Sequence, residues 1–288
     1  MSTFLWSPGQ HKANELAQQF AAFPQVATVA LGGSQSSGSA DFGSDIDLYV
    51  YTEEEIPPEE QAALIERSGG ATRSDLNMPY WGGLNMWADA VTGITVDCMY
   101  FRTGWIEEQV ARVMDEHRPS LGYSTSFCRT VKQSIILYDP RGWFEALQAR
   151  SKQDYPEALR RNIIAHNHPV LRTLMSSYLC QIENAVRRGD FVSMNHRVAA
   201  LLASYFDILF ALNRVFHPGE KRLLSFAHKE CSILPMAMED DVTAVLMATG
   251  SAKVEVIQHV NRMLDRMDEL LIHADAFPYG GKDATHFN

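Results

Sequence analysis

A small mixed α/β sheet domain followed by an all-α helical bundle is the fold this sequence predicts, on three observations. Strand-like apolar runs are confined to the first 140 residues, helical periodicity dominates beyond about residue 142, and the charge distribution changes at the same place. Residues 1–140 hold 8 Lys and Arg against 18 Asp and Glu, whereas 141–288 hold 17 of each, so all the acidic excess lies in the first part. The chain has 288 residues, 46% hydrophobic and 21% charged. Two domains are expected from it, 1–141 and 142–288, each with a modest core.

Taken in order, Leu16, Ala17, Phe20 and Ala21 fall at helical spacing over 9–22, and Phe23-Pro24 closes that helix. Val26 to Leu31 reads as a buried strand broken by Gly32-Gly33, and Ile46 to Tyr51 as a second strand after a Gly/Ser-rich loop. Ile94 to Phe101 alternates as a third. Thr103 then offers an N-cap for a helix through Trp105, Ile106, Val110, Val113 and Met114, and Ile135 to Tyr138 reads as a last short strand. In the second part, Pro156 to Arg188 is helical but split or kinked by Pro169. Asp190 caps a helix running to about Phe216, and Ser251 opens a final helix through Val254, Ile257, Val260, Met263, Leu264, Met267 and Leu271. The tail after Phe277 is expected to be poorly ordered.

The net charge of −10 argues against a protein that grips nucleic acid through its phosphates. No apolar run of about 18 residues or export signal is evident, so a cytoplasmic protein with no membrane segment is expected. Cys98, Cys128, Cys180 and Cys231 are too scattered for a zinc or redox motif and read as reduced thiols.

The passage that carries chemistry runs from Leu31 to Leu48. A Gly33-Ser34 turn follows one strand, and Asp45-Ile46-Asp47 opens the next. Strand side chains alternate, so Asp45 and Asp47 are expected on one face, where two like charges call for a divalent cation. Magnesium suits such hard oxygen ligands and leaves places for substrate phosphates. The glycine turn offers backbone N–H groups to phosphate oxygens at a point where a Cβ would block approach. A third carboxylate is needed as ligand or proton acceptor, and Asp97 in Thr95-Val96-Asp97-Cys98-Met99 is the candidate. Glu107 is assigned to a helix face, and Asp75 and Asp89 to loops.

Gly33-Ser34, then, eleven positions on from Ser34, Asp45-Ile46-Asp47-Leu48, with a later acid on a neighbouring strand, resembles the nucleotidyltransferase superfamily with its polymerase-β-like fold. Ser44 and the strand-ending Leu137-Tyr138-Asp139-Pro140 are similar to bacterial members that modify small molecules, such as aminoglycoside and lincosamide nucleotidyltransferases. The resemblance implies metal-dependent transfer of a nucleoside monophosphate from an NTP to an acceptor hydroxyl, with release of pyrophosphate. It implies Asp45, Asp47 and Asp97 as catalytic and metal-binding residues for two Mg2+ ions. Gly33, Ser34 and Ser44 would bind the nucleotide, ATP among the candidates.

Lys221 and Arg222, after the turn at Pro218-Gly219, are expected to add positive charge for the nucleotide or acceptor in a cleft between the domains. The acidic first part favours a cationic small-molecule acceptor, antibiotics included, over nucleic acid. The rival readings are a tRNA or protein acceptor, as in toxin–antitoxin nucleotidyltransferases, and an inactive module that only binds nucleotide. His166-Asn167-His168 and the aromatic residues Tyr80, Trp81 and Trp87 are assigned to structure and packing rather than to ligands.

Overall fold

A computed structural model of the chain describes residues 7–37, 44–79, 83–250 and 254–278. They form two compact units, one of residues 1–111 and 127–153, the other of 112–126 and 154–288. The expected tail after Phe277, apart from Pro278, and the expected helix start at Ser251 lie outside the described residues.

The first unit is built on six strands: β1 (Val26–Leu31), β2 (Ile46–Thr52), β3 (Ala71–Met78), β4 (Leu84–Asp89), β5 (Thr95–Arg102) and β6 (Ile135–Tyr138). Their order in the sheet is β3-β4-β5-β2-β1-β6; β2 and β5 run parallel and every other neighbouring pair antiparallel. Helix α1 (Pro8–Phe20) starts at a capping box in which Ser7 and Gln10 exchange hydrogen bonds, with Pro8 at the first helical position. Its Leu16, Ala17 and Phe20, with Leu64 and Ile65 of α3 (Pro58–Arg67), pack on Ile46, Leu48 and Val50 of β2 and on Val96 and Cys98 of β5. That is one face of the sheet. The other face carries Asp47, Tyr49 and Tyr51 of β2 beside Asp97, Met99 and Phe101 of β5, because alternate residues point to opposite sides.

Two strands were not anticipated. Asp75 and Asp89, assigned to loops above, belong to the β3–β4 hairpin. β3 reads Ala-Thr-Arg-Ser-Asp-Leu-Asn-Met and is exposed along most of its length, so it lacks the apolar alternation by which a half-buried strand is recognised. Asp89 is buried at the end of β4, where its Oδ2 lies 2.9 Å from Nζ of the buried Lys12 in α1. Burial opposes its ionisation, but Lys12 and the Thr92 hydroxyl and N–H outweigh it and hold the carboxyl below its ordinary range.

The second unit contains α7 (Glu157–Arg172), α8 (Tyr178–Arg188), α9 (Phe191–Leu212), α10 (Leu223–Glu230), α11 (Met238–Thr249) and α12 (Val254–His273), after α4 (Thr103–Met114), α5 (Ser126–Gln133) and α6 (Trp143–Ser151) earlier in the chain. Pro169 lies in the last turn of α7 and the helix ends at Arg172, so the expected split falls there. Asp190 caps α9 by accepting from Ser193 N at 2.9 Å, as expected, but the helix stops at Leu212 rather than Phe216. Its residues Leu201, Tyr205, Ile208 and Leu209 are central to the core shared with Met263, Leu264 and Met267 of α12. The four cysteines are free thiols. No helix among the described residues is long and apolar enough to cross a membrane.

One polar cluster interrupts the helical core. Asp207 of α9, 1% exposed, accepts from Ser124 N at 3.0 Å, lies 2.6 Å from Ser124 Oγ and accepts from Asn167 Nδ2 at 3.2 Å. Asn167 in turn accepts from Gly122 N and donates to Ser120 O, so the loop 119–125 is pinned to α7 and α9. Burial raises the Asp207 carboxyl to about 7, against the lowering effects of Ser124, Asn167 and Arg112. The neutral acid fits this network, since it can donate to Ser124 Oγ while that hydroxyl donates to Ser120 O.

Because the native carboxyl binds its proton more tightly than the unfolded one, its stabilising contribution is complete below pH 4 and is lost as pH rises through 7. Asp207→Asn mimics the neutral form and removes that dependence. Urea unfolding from pH 5 to pH 8 should therefore show wild-type stability falling relative to D207N, by at most about 1.4 kcal/mol per pH unit. A constant difference between the two proteins across that range would contradict the assignment.

Candidate functional site

The site grows from the parallel pairing of β2 and β5. Asp47 and Asp97 are direct register partners, so both side chains leave the same face of the sheet at the roughly 4.8 Å spacing of adjacent strands. Both are half-buried. The row continues outward through Met86 of β4 to Asp75 of β3, whose carboxylate lies 3.9 Å from the Arg73 guanidinium. Asp45 precedes the first residue of β2 and is exposed, so the ladder that orients Asp47 does not orient it. Among the described residues, no three His, Cys, Asp or Glu side chains come together closely enough to hold a metal ion. The arrangement is a pair of adjacent carboxylates with a third acid at the strand entrance.

The glycine turn closes against this pair. Gly32 N donates to Asp47 O at 2.8 Å, extending the β1–β2 pairing into the turn. Gly33 has φ +61°, and a Cβ built there would lie 1.8 Å from Asp47 Oδ2. Glycine is required twice over, by the left-handed backbone and by the carboxylate that fills the space of a side chain. At Gly32 a Cβ would lie 2.1 Å from Cε2 of Tyr49. Gly33 opens the short helix α2 (Gly33–Ser37). The side chain of Ser34 lies outside the described residues. α2 is anchored by Gln35, which is buried; its Nε2 donates to Ser44 O at 3.1 Å, and its own carbonyl accepts from Gln10 Nε2 at 3.0 Å. The predicted Ser44 thus supports the turn through its backbone.

Above the carboxylates the same face is aromatic. Tyr49 stacks on Phe101 with centroids 6.2 Å apart, Phe101 on Trp105 of α4 at 5.0 Å, and Trp105 meets Phe127 of α5 edge-on at 4.9 Å. Burial, reinforced by Asp47 and Asp97, raises the Tyr49 phenol above its ordinary range although Thr130 hydrogen-bonds it, so it stays protonated. Burial likewise pushes the Cys98 thiol up to about 12, leaving no reactive thiolate on the opposite face. Glu107 is exposed on α4 and accepts from Trp143 Nε1 at 2.6 Å.

Lys221 and Arg222 are exposed in the helical unit. Arg222 is the N-cap of α10 with φ 56° and borders a groove of about 520 Å³ with Leu202, Phe206 and Val242. Of the His166-Asn167-His168 group, Asn167 belongs to the Asp207 cluster, and His168 Nε2 lies 2.6 Å from Asp268 of α12. Trp87 is buried in the core of the sheet unit; Tyr80 and Trp81 lie outside the described residues. Sequence reasoning passed over Gln35 and Tyr49. Tyr49 reads as an ordinary strand residue, and only its step of two from Asp47 marks it for the same face.

A divalent cation is the group that this donor set suits. Two adjacent hard oxygen ligands are as many as magnesium ordinarily takes from a protein when phosphates complete its shell.

Two family models match parts of this chain. Residues 13–71 match the family model of the nucleotidyltransferase domain, and residues 124–223 match that of a domain of unknown function (DUF4037). Among solved structures, a nucleotidyltransferase-like protein from Exiguobacterium sibiricum is similar over 93% of this chain and 76% of its own, at 12% identity and a TM-score of 0.45. An aminoglycoside 6-adenyltransferase from Bacillus subtilis is similar over 93% of this chain and 92% of its own, at 10% identity and a TM-score of 0.31. No curated protein matches the chain. The first of the family matches runs through α1, β1, α2, β2 and α3, so this segment of the chain, which carries the glycine turn and Asp47, is similar to the nucleotidyltransferase domain.

Proposed function

We propose that this enzyme transfers a nucleoside monophosphate from an NTP to a hydroxyl of a small, cationic acceptor, releasing pyrophosphate. The observation that carries the reading is the side-by-side placement of Asp47 and Asp97 against a turn whose Gly33 backbone touches the Asp47 carboxylate. The acceptor oxygen attacks the α-phosphorus, the bond from that phosphorus to the pyrophosphate oxygen breaks, and the acceptor proton leaves to a carboxylate. Asp97, half-buried beside Asp47, is the group assigned to receive that proton or to share in cation binding. Asp47 and Asp45 would hold Mg2+, which when bound neutralises phosphate charge and makes the pyrophosphate a better leaving group. Gly33 and Ser34 would position the triphosphate, with Ser44 bracing the turn through Gln35. The surplus of acid over base in residues 1–140 favours a cationic acceptor over a polyanion.

Incubation with each α-labelled NTP, Mg2+ and pooled hydroxyl-bearing acceptors tests the reading by showing which label moves. Asp47→Asn and Asp97→Asn should each lower transfer by at least about 10²-fold while the midpoint of thermal unfolding shifts by no more than a few degrees. Turnover at the wild-type rate in either variant would refute the assignment.

Gly33→Ala should act on binding first. The left-handed backbone costs an alanine roughly 1–2 kcal/mol of stability, and the new methyl must displace the Asp47 carboxylate. The expected result is an NTP KM raised about tenfold or more, equivalent to about 1.4 kcal/mol, with a modest fall in Tm. An unchanged KM would remove the turn from the nucleotide site.

A further inference from the structure

We propose that Tyr49 is a positioning residue for the transfer site: its ring, seated against Gly32, and its hydroxyl, tied to Thr130 of α5, fix the distance between the glycine turn and Asp47. The inference rests on the transfer reading above and goes beyond it by assigning a role to a residue outside the acid and glycine motif.

The geometry is that of a turn laid flat on two side chains of a single strand. Asp47 Oδ2 occupies the place of a Cβ at Gly33, and Tyr49 Cε2 occupies the place of a Cβ at Gly32. The two consecutive glycines are therefore each filled by a β2 side chain, two residues apart on the same face. The turn cannot close on Asp47 without pressing on the Tyr49 ring, and it cannot lift away without leaving a void above that ring.

The ring itself has little freedom. Phe101 stacks on it from β5, and the stack passes through Trp105 to Phe127 of α5. α5 also supplies Thr130, which hydrogen-bonds the Tyr49 hydroxyl. Phe127 and Thr130 stand three positions apart on α5, so one helical face both closes the aromatic stack and holds the phenol. A leucine or phenylalanine at this position would satisfy packing alone, so the hydroxyl is the feature that separates positioning from core filling.

The test measures binding of metal and triphosphate directly. Mn2+ is titrated by electron paramagnetic resonance into the full chain with the α,β-methylene analogues of the four NTPs, for wild type, Tyr49→Phe, Thr130→Val, Thr130→Ser, the Y49F/T130V double variant and Asp47→Asn. Y49F and T130V should each weaken binding about three- to tenfold, the range expected for loss of one hydrogen bond. The double variant should be no worse than either single one, because both remove the same bond. T130S keeps the hydroxyl and should bind as wild type does. Wild-type binding in Y49F and T130V, or effects that multiply in the double variant, would overturn the proposal. If D47N abolishes binding while Y49F and T130V leave it intact, the positioning role alone fails; if D47N also binds normally, the transfer site itself is misplaced.

Discussion

Parallel pairing of β2 with β5 places two carboxylates one strand spacing apart, and like charges at that distance cost on the order of a few kcal/mol unless something positive or polar stands between them. A fold that keeps them there must hold both backbones rigid. The opposite face of the same strands supplies the means, since Ile46, Leu48, Val50, Val96 and Cys98 are fully buried under α1 and α3. Hydrophobic burial on one side thus fixes the position of the carboxylates on the other.

The surroundings of the pair are graded. Below it the β-ladder ends and Asp45 meets solvent; above it lies the aromatic stack. At its side the glycine turn brings main chain within contact of a carboxylate, a proximity that any other residue would prevent. Three kinds of environment thus meet around one pair of side chains on the two central strands of the sheet.

The part of this arrangement legible in the sequence was the part governed by local rules. Strand alternation and turn chemistry identify Val26–Leu31, the Gly32-Gly33 break and the Asp-x-Asp strand, because each depends on neighbours close along the chain. The β3–β4 hairpin escaped because β3 is exposed along most of its length and lacks a regular apolar alternation, and Asp75 and Asp89 were misassigned with it. β2 begins at Ile46, as expected, so its ladder does not orient Asp45. Tyr49 and Thr130 lie 81 positions apart, and no periodicity reports such a contact. Asp207 offered a signal that went unused: a carboxylate within Tyr205-Phe206-Asp207-Ile208-Leu209 must be buried with its helix, and a buried acid requires partners.

Those partners come from far upstream. Ser124 and Gly122, which complete the cluster around Asp207 and Asn167, belong to a stretch flanked on both sides by chain of the sheet unit. The helical body is consequently discontinuous in sequence, interleaved with its neighbour like a splice rather than joined end to end. During synthesis, residues 112–126 leave the ribosome long before α7 and α9 exist, and must wait for them. Assembly of this polar core is therefore a late and long-range event, and the order in which the chain emerges is not the order in which its parts become complete.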